Sequence, residues 1–298
     1  MRSVNVVAVS TRPESTPLLV SLIQLTKPGV TGLVMITALC GALVTPGPRP
    51  VSTLLIALFG TALVVGAANT FNMYLERHSD ALMTRTRLRP LPTGRLSPEF
   101  ALGFGLVLAA IGLPLLALVV NTTAALLTAV ALGSYVLVYT PLKQTSPMAL
   151  WVGAVPGAIP PLIGWASVRG SLGLGAWLLF LILFVWQLPH FLAIAIFRRE
   201  EYARAGHRVL PVVKGVPATK RAIVAYSALL LLVSIAPFAL HMASLAYLLV
   251  AGLSGALFLA YALKGLAPES DNAWAKRLFR ASIPYLVLVM GTLVCTSH

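Results

Sequence analysis

The chain is 298 residues long, 58% apolar and only 10% charged, with a formal net charge of +14 and a mean hydropathy of +0.89. A soluble domain carries about a quarter charged residues, so the composition excludes one, and long unbroken apolar runs exclude a closed barrel. The positive charge lies in the loops between those runs, where it sets membrane topology; it does not call for nucleic acid as a partner.

Residues 1–16 hold Arg2, Arg12, Pro13 and Glu14 before any long apolar run. This is not the pattern of a cleavable signal peptide. It predicts a mobile tail over 1–16, followed by a single polytopic domain over 17–298. Nine apolar segments then follow, at 28–46, 51–75, 99–120, 122–140, 147–168, 172–197, 219–240, 244–263 and 277–296. Each is near the ~20 residues that a spanning helix needs. The expected fold is an all-α integral membrane protein, a bundle of nine transmembrane helices around a central cavity open to the cytoplasmic side. Of the 22 Lys and Arg, all but Arg49 and Arg169 fall on one side of nine such spans. By the positive-inside rule the N-terminus is cytoplasmic and the C-terminus outside, in the inner (plasma) membrane of the cell.

The second segment ends in the most informative stretch. Asn72, Glu76 and Asp80 are spaced by four and form a ridge if the helix persists. Arg77, Arg85, Arg87, Arg89 and Arg95 lie around and beyond it. Oxygen ligands suit Mg²⁺, and guanidinium groups suit phosphate oxygens. A magnesium–diphosphate site at a membrane surface is the expectation. The fourth segment closes on Tyr139-Thr140-Pro141-Leu142-Lys143, which offers Lys143 as a point charge near a phosphate. The fifth carries Gly153, Pro156, Gly157, Pro160, Pro161 and Gly164; it is expected to kink and to line a cavity, although close helix packing through small residues explains its glycines equally well.

The sixth segment holds Trp186-Gln187-Leu188-Pro189-His190-Phe191. Polar groups at membrane depth are costly and usually functional, and His is a common iron ligand; an interhelical hydrogen bond is the plain alternative for His190. Just beyond come Arg198, Arg199, Glu200 and Glu201. This second cluster could clamp a metal–diphosphate against the first, or be a solvated charged loop. Soluble phosphate-binding motifs are absent: there is no Gly-x-x-x-x-Gly-Lys-Ser/Thr and no Rossmann fingerprint.

Several blocks together resemble a known family. They are Asn72-x-x-x-Glu76-x-x-x-Asp80-x-x-Met83-x-Arg85-Thr86-x-x-Arg89-Pro90-Leu91, Tyr139-Thr140-x-Leu142-Lys143, Gly164-Trp165, Trp186-Gln187-x-Pro189-His190-Phe191, Glu201-Tyr202-x-x-Ala205-Gly206 and Ala281-Ser282-x-x-Tyr285-Leu286. In that order they are similar to the protoheme IX farnesyltransferase (haem O synthase) family of the UbiA superfamily of intramembrane prenyltransferases. Glu76 stands where that family usually has Asp. The resemblance implies farnesyl diphosphate as donor, haem B as acceptor and Mg²⁺ as cofactor. It implies Asn72, Glu76 and Asp80 as catalytic and metal-binding residues, with Glu201 as a further ligand. Lys143, Arg85, Arg89, Arg198 and Arg199 become diphosphate-binding candidates, and His190 and Trp186 haem-binding candidates. A haem A synthase is an expected partner beside the lipid bilayer. A related enzyme acting on a quinone precursor is the nearest alternative, and a membrane transporter a more distant one.

Overall fold

The computed structural model describes residues 17–267 and 270–297; the tail expected over 1–16 lies outside the described residues. Among the described residues all regular structure is helical. The first element, α1 (Leu18–Thr26), meets α2 (Pro28–Val44) at a 45° bend. Lys27 between them adopts a left-handed conformation, with φ 48°. Pro28 has no N–H to continue α1 and suits the first position of a new helix. The first expected segment, 28–46, coincides with α2, and α1 before it is an additional helix.

The 31-residue α3 (Val51–Ala81) is roughly 46 Å long at 1.5 Å per residue. A hydrocarbon slab is only ~30 Å thick, so its last turns reach beyond the apolar layer. Next, α4 (Pro98–Leu115) runs on into a π-helical turn over Leu116–Val120. The fifth helix, α5 (Thr122–Gly133), continues through a second π turn, Ser134–Tyr139, into α6 (Thr140–Thr145). The expected break in the fifth apolar segment is present: α7 (Ala149–Ala158) and α8 (Pro160–Arg169) are separated at Ile159. Then come α9 (Leu174–Phe197), the short α10 (Arg199–Arg204) and α11 (Leu210–Val213), and the long α12 (Gly215–Ala239), α13 (Leu245–Leu263) and α14 (Asn272–Thr296). Among the described residues eight helical stretches are long and apolar enough to cross a membrane, or nine if α1 and α2 form one span.

The interior is built by α9, α12, α13 and α14 around Leu179, Ile182, Leu230, Tyr247, Leu278 and Val289, all buried. Leu118, Leu137, Leu232, Leu253 and Val287 point outward, as lipid-facing side chains do. Between α2 and α8 the backbones touch. A Cβ on Gly41 would overlap the Pro161 carbonyl, and one on Gly164 would overlap that of Ala38. Small residues permit such approach where apolar surroundings supply no hydrophobic drive. This contact fixes the broken α7–α8 pair beside the cavity, and Gly153, Pro156, Gly157 and Pro160 line it. Both cysteines are free; Cys40 is half-buried and Cys295 is exposed.

Candidate active site

Because α3 stays helical to Ala81, Asn72, Glu76 and Asp80 do share a face, and they are 2%, 3% and 1% exposed. The loop after α3 folds back over that face. Met83 and Thr86 are its buried anchors, and the Thr86 hydroxyl donates to the Asp80 carbonyl at 2.8 Å. This turn brings the Arg89 guanidinium 2.6 Å from Asp80 Oδ2. Arg85, four residues before Arg89 in the same loop, lines the same cavity.

The π turn supplies the opposite wall. The Thr140 hydroxyl donates to the Tyr135 carbonyl at 2.8 Å and accepts from Asn72 Nδ2 at 3.2 Å. Lys143 Nζ lies 2.6 Å from Glu76 Oε1. This is an ion pair without hydrogen-bond alignment, since Oε1 is left with no hydrogen-bond partner. Lys27, at the α1–α2 bend, donates from Nζ to Asn72 Oδ1 at 2.7 Å. Sequence reasoning missed Lys27; the Lys-Pro pair after an apolar run was the available signal. Removing one partner of a buried ion pair leaves an uncompensated charge, so Arg89 and Asp80 depend on each other, as do Lys143 and Glu76.

From the ridge a cavity of about 610 Å³ extends between α2, α3, α5, α7 and α9, within the range of ligand pockets. Trp186, His190 and Phe191 line it too. Trp186 and His190 stack with ring centroids 4.6 Å apart, and Phe279 lies 4.8 Å from His190. Gln187 also lines the cavity, and donates from Nε2 to the Leu183 and Ala154 carbonyls. A Cβ on Gly157 would overlap Gln187 Oε1.

Other expected residues are not brought to the ridge. Arg198, Arg199 and Glu201 line a separate, smaller cavity of about 240 Å³ with Glu200 and Arg204. Glu201 pairs with Arg198 of its own turn at 3.1 Å. Among the described residues, no group of three or more His, Cys, Asp and Glu side chains converges as a metal site, so Glu201 does not complete a set with Glu76 and Asp80. Phe71 packs on Gly105 of α4, and Tyr74 lies under the Arg77 guanidinium; neither lines the cavity, whereas Tyr135 and Tyr139 do. His207, in the loop after α10, is buried with no hydrogen-bond partner on either ring nitrogen. Burial, and then the Lys143 ammonium, hold its imidazole below the usual histidine range.

A buried acid–amide ridge under four cations, opening into an apolar cavity between membrane-crossing helices, is the arrangement of an intramembrane prenyltransferase. The chain belongs to the UbiA prenyltransferase family, which it matches over residues 34–283. Within it the relatives are protoheme IX farnesyltransferases. That of Sorangium cellulosum (strain So ce56) is 51% identical over 245 residues, 82% of this chain and 88% of the relative. That of Myxococcus xanthus (strain DK1622) is 46% identical over 286 residues, 96% of this chain and 97% of the relative. Among solved structures, a UbiA homolog from Archaeoglobus fulgidus bound to DMAPP and Mg²⁺ has a TM-score of 0.66 at 16% identity. The match covers 92% of this chain and 99% of that one, a likeness of fold. The family expected from the sequence blocks is thereby borne out.

Proposed function

We propose that this protein transfers the farnesyl group of farnesyl diphosphate to a vinyl group of haem B with addition of water, giving haem O and diphosphate. In this reaction the allylic C–O bond breaks and its electron pair leaves with the diphosphate. The vinyl electron pair forms the new C–C bond, and water adds at the other vinyl carbon and releases a proton. The observation that carries the reading is one cavity lined both by Lys27, Asn72, Glu76, Arg85, Arg89 and Lys143 and by the aromatic Trp186, His190 and Phe191. No feature favours a quinone precursor over haem, and the 46–51% identity to protoheme IX farnesyltransferases favours haem.

Asp80 Oδ1 is buried without a hydrogen-bond partner, and Glu76 Oε1 is held only by the Lys143 ammonium. Such hard oxygens suit Mg²⁺, which keeps some of its coordination for water and phosphate, so the donor set fits. Asn72, Glu76 and Asp80 would hold the ion. When bound, Mg²⁺ supplies positive charge that stabilises the departing diphosphate. Lys27, Lys143, Arg85 and Arg89 neutralise the diphosphate oxygens and hold the group in one orientation. Tyr135 and Tyr139 present their rings to the cavity, where an allylic cation gains from aromatic faces. The apolar lining from Val30 to Leu192 keeps water from the cation before the vinyl group attacks.

We read α1 and α2 as one span and so count nine, with residues 17–298 acting as one catalytic domain. The Lys and Arg bias supports a cytoplasmic N-terminus and a ridge facing the cytoplasm, in the plasma membrane. A haem A synthase is the proposed consumer of the product. The test is mass spectrometry of haem extracted from the purified protein in lipid after incubation with haem B, farnesyl diphosphate and Mg²⁺. A farnesylated, hydrated haem that vanishes with EDTA is expected; unmodified haem alongside prenylation of a quinone precursor would overturn the assignment.

A further inference from the structure

We infer that Ser282 is a positioning residue that fixes His190 as an axial ligand of the haem iron; this rests on the proposed haem acceptor. Ser282 is fully buried on α14. Its hydroxyl donates to the Phe279 carbonyl at 2.7 Å, which uses its only proton. With that proton on the Phe279 carbonyl, the 2.6 Å contact between Ser282 Oγ and His190 Nδ1 has the ring as donor, and this Nδ1–H tautomer is the one we assign. It leaves a bare lone pair on Nε2 of the neutral ring. His190 lines the cavity, and among the described residues its one ring hydrogen bond is the Nδ1 contact.

The plane of the ring is fixed as well. Trp186 stacks on it at 4.6 Å with 30° between the planes, and Phe279 lies at 4.8 Å. Trp186 is held in turn by its Nε1–H, which donates to the Ser282 carbonyl at 2.7 Å. One residue thus holds both rings, His190 through its side chain and Trp186 through its backbone. A helix-joining hydrogen bond needs only the Nδ1 contact. A presented, unbonded Nε2 behind an oriented Nδ1–H donor is what metal-ligating histidines show, because the second nitrogen's hydrogen bond sets tautomer and basicity. Iron ligation would also set where the porphyrin's vinyl edge lies relative to the ridge.

Resonance Raman spectra of the ferrous haem complex in lipid test this. The wild type is expected to show an iron–histidine stretch that His190→Ala abolishes. Ser282→Ala, which keeps the backbone acceptor of Trp186, is expected to lower that frequency and weaken haem binding roughly tenfold or more, and Ser282→Thr to restore both. As a second arm, imidazole added to His190→Gly should return the stretch at its wild-type frequency while Ser282 is intact. An iron–histidine signal unchanged in His190→Ala, or a frequency unchanged in Ser282→Ala, would overturn the assignment. Turnover measured on the same samples separates the two claims. Farnesyl transfer without histidine ligation overturns the ligand role and leaves the reaction standing; ligation without transfer supports the ligand role and overturns the reaction.

Discussion

The ridge at the end of α3 and the Arg198–Arg204 turn are both clusters of acids and bases, and both follow a long apolar helix. In the ridge, Glu76 and Asp80 are almost wholly buried, and their cations come from far along the chain or from a folded-back loop. In the turn, Glu201 is partly exposed and answered by Arg198 three residues away. A buried charge pair depends on every partner, whereas an exposed pair of this spacing contributes only a few tenths of a kcal/mol. Burial, not charge composition, distinguishes a site from a solvated turn.

If that contrast holds, Asp80→Asn should lower kcat for farnesyl transfer on the order of 10²–10³-fold, the loss seen when one transition-state charge stabiliser is removed. A lowered thermal midpoint should accompany the loss, because the amide leaves the Arg89 guanidinium without its counter-charge. Arg89→Ala strands the Asp80 carboxylate and should cost about 3–5 kcal/mol of stability, read as a lowered thermal midpoint in lipid. Lys27→Ala removes one cation and the donor to Asn72; it should raise KM for the prenyl diphosphate about tenfold, as for one charged hydrogen bond. Glu201→Gln should leave kcat and KM within about twofold, its pair being local and partly solvated.

The smallest effect concerns pH. The His207 imidazole sits below the usual range in the folded protein, so the unfolded chain binds its proton more readily. Stability from this group is present above the unfolded pKa of about 6.5 and is lost as pH falls below it. His207→Leu should therefore flatten the fall in thermal midpoint between pH 7.5 and 5.5; an unchanged slope would remove His207 as its cause.

Much of this was legible in the sequence, for local reasons. Apolar run length fixes membrane helices, and the i, i+4 spacing of Asn72, Glu76 and Asp80 survives because α3 does not fray before Ala81. What sequence reading missed depends on distant pairing. Lys27 meets Asn72 45 residues on, and His190 meets Ser282 92 residues on; no periodicity encodes either. The π turn that aims Tyr135, Tyr139 and Lys143 inward has no apolar signature, since Ser134–Tyr139 reads as ordinary helix. Glu201 was read toward the ridge, with a solvated loop as the alternative, because a second acidic cluster on the same expected face and the family resemblance suggested it; neither shows that Arg198 three residues back is its partner.

The contrast between the two clusters is decided by assaying Glu76→Gln and Glu201→Gln side by side for haem O by mass spectrometry, at equal protein and saturating farnesyl diphosphate and Mg²⁺. Haem O lost with Glu76→Gln and retained with Glu201→Gln is the predicted result. Equal loss in both would place the second cluster in the reaction, and retention in both would deny the ridge its role.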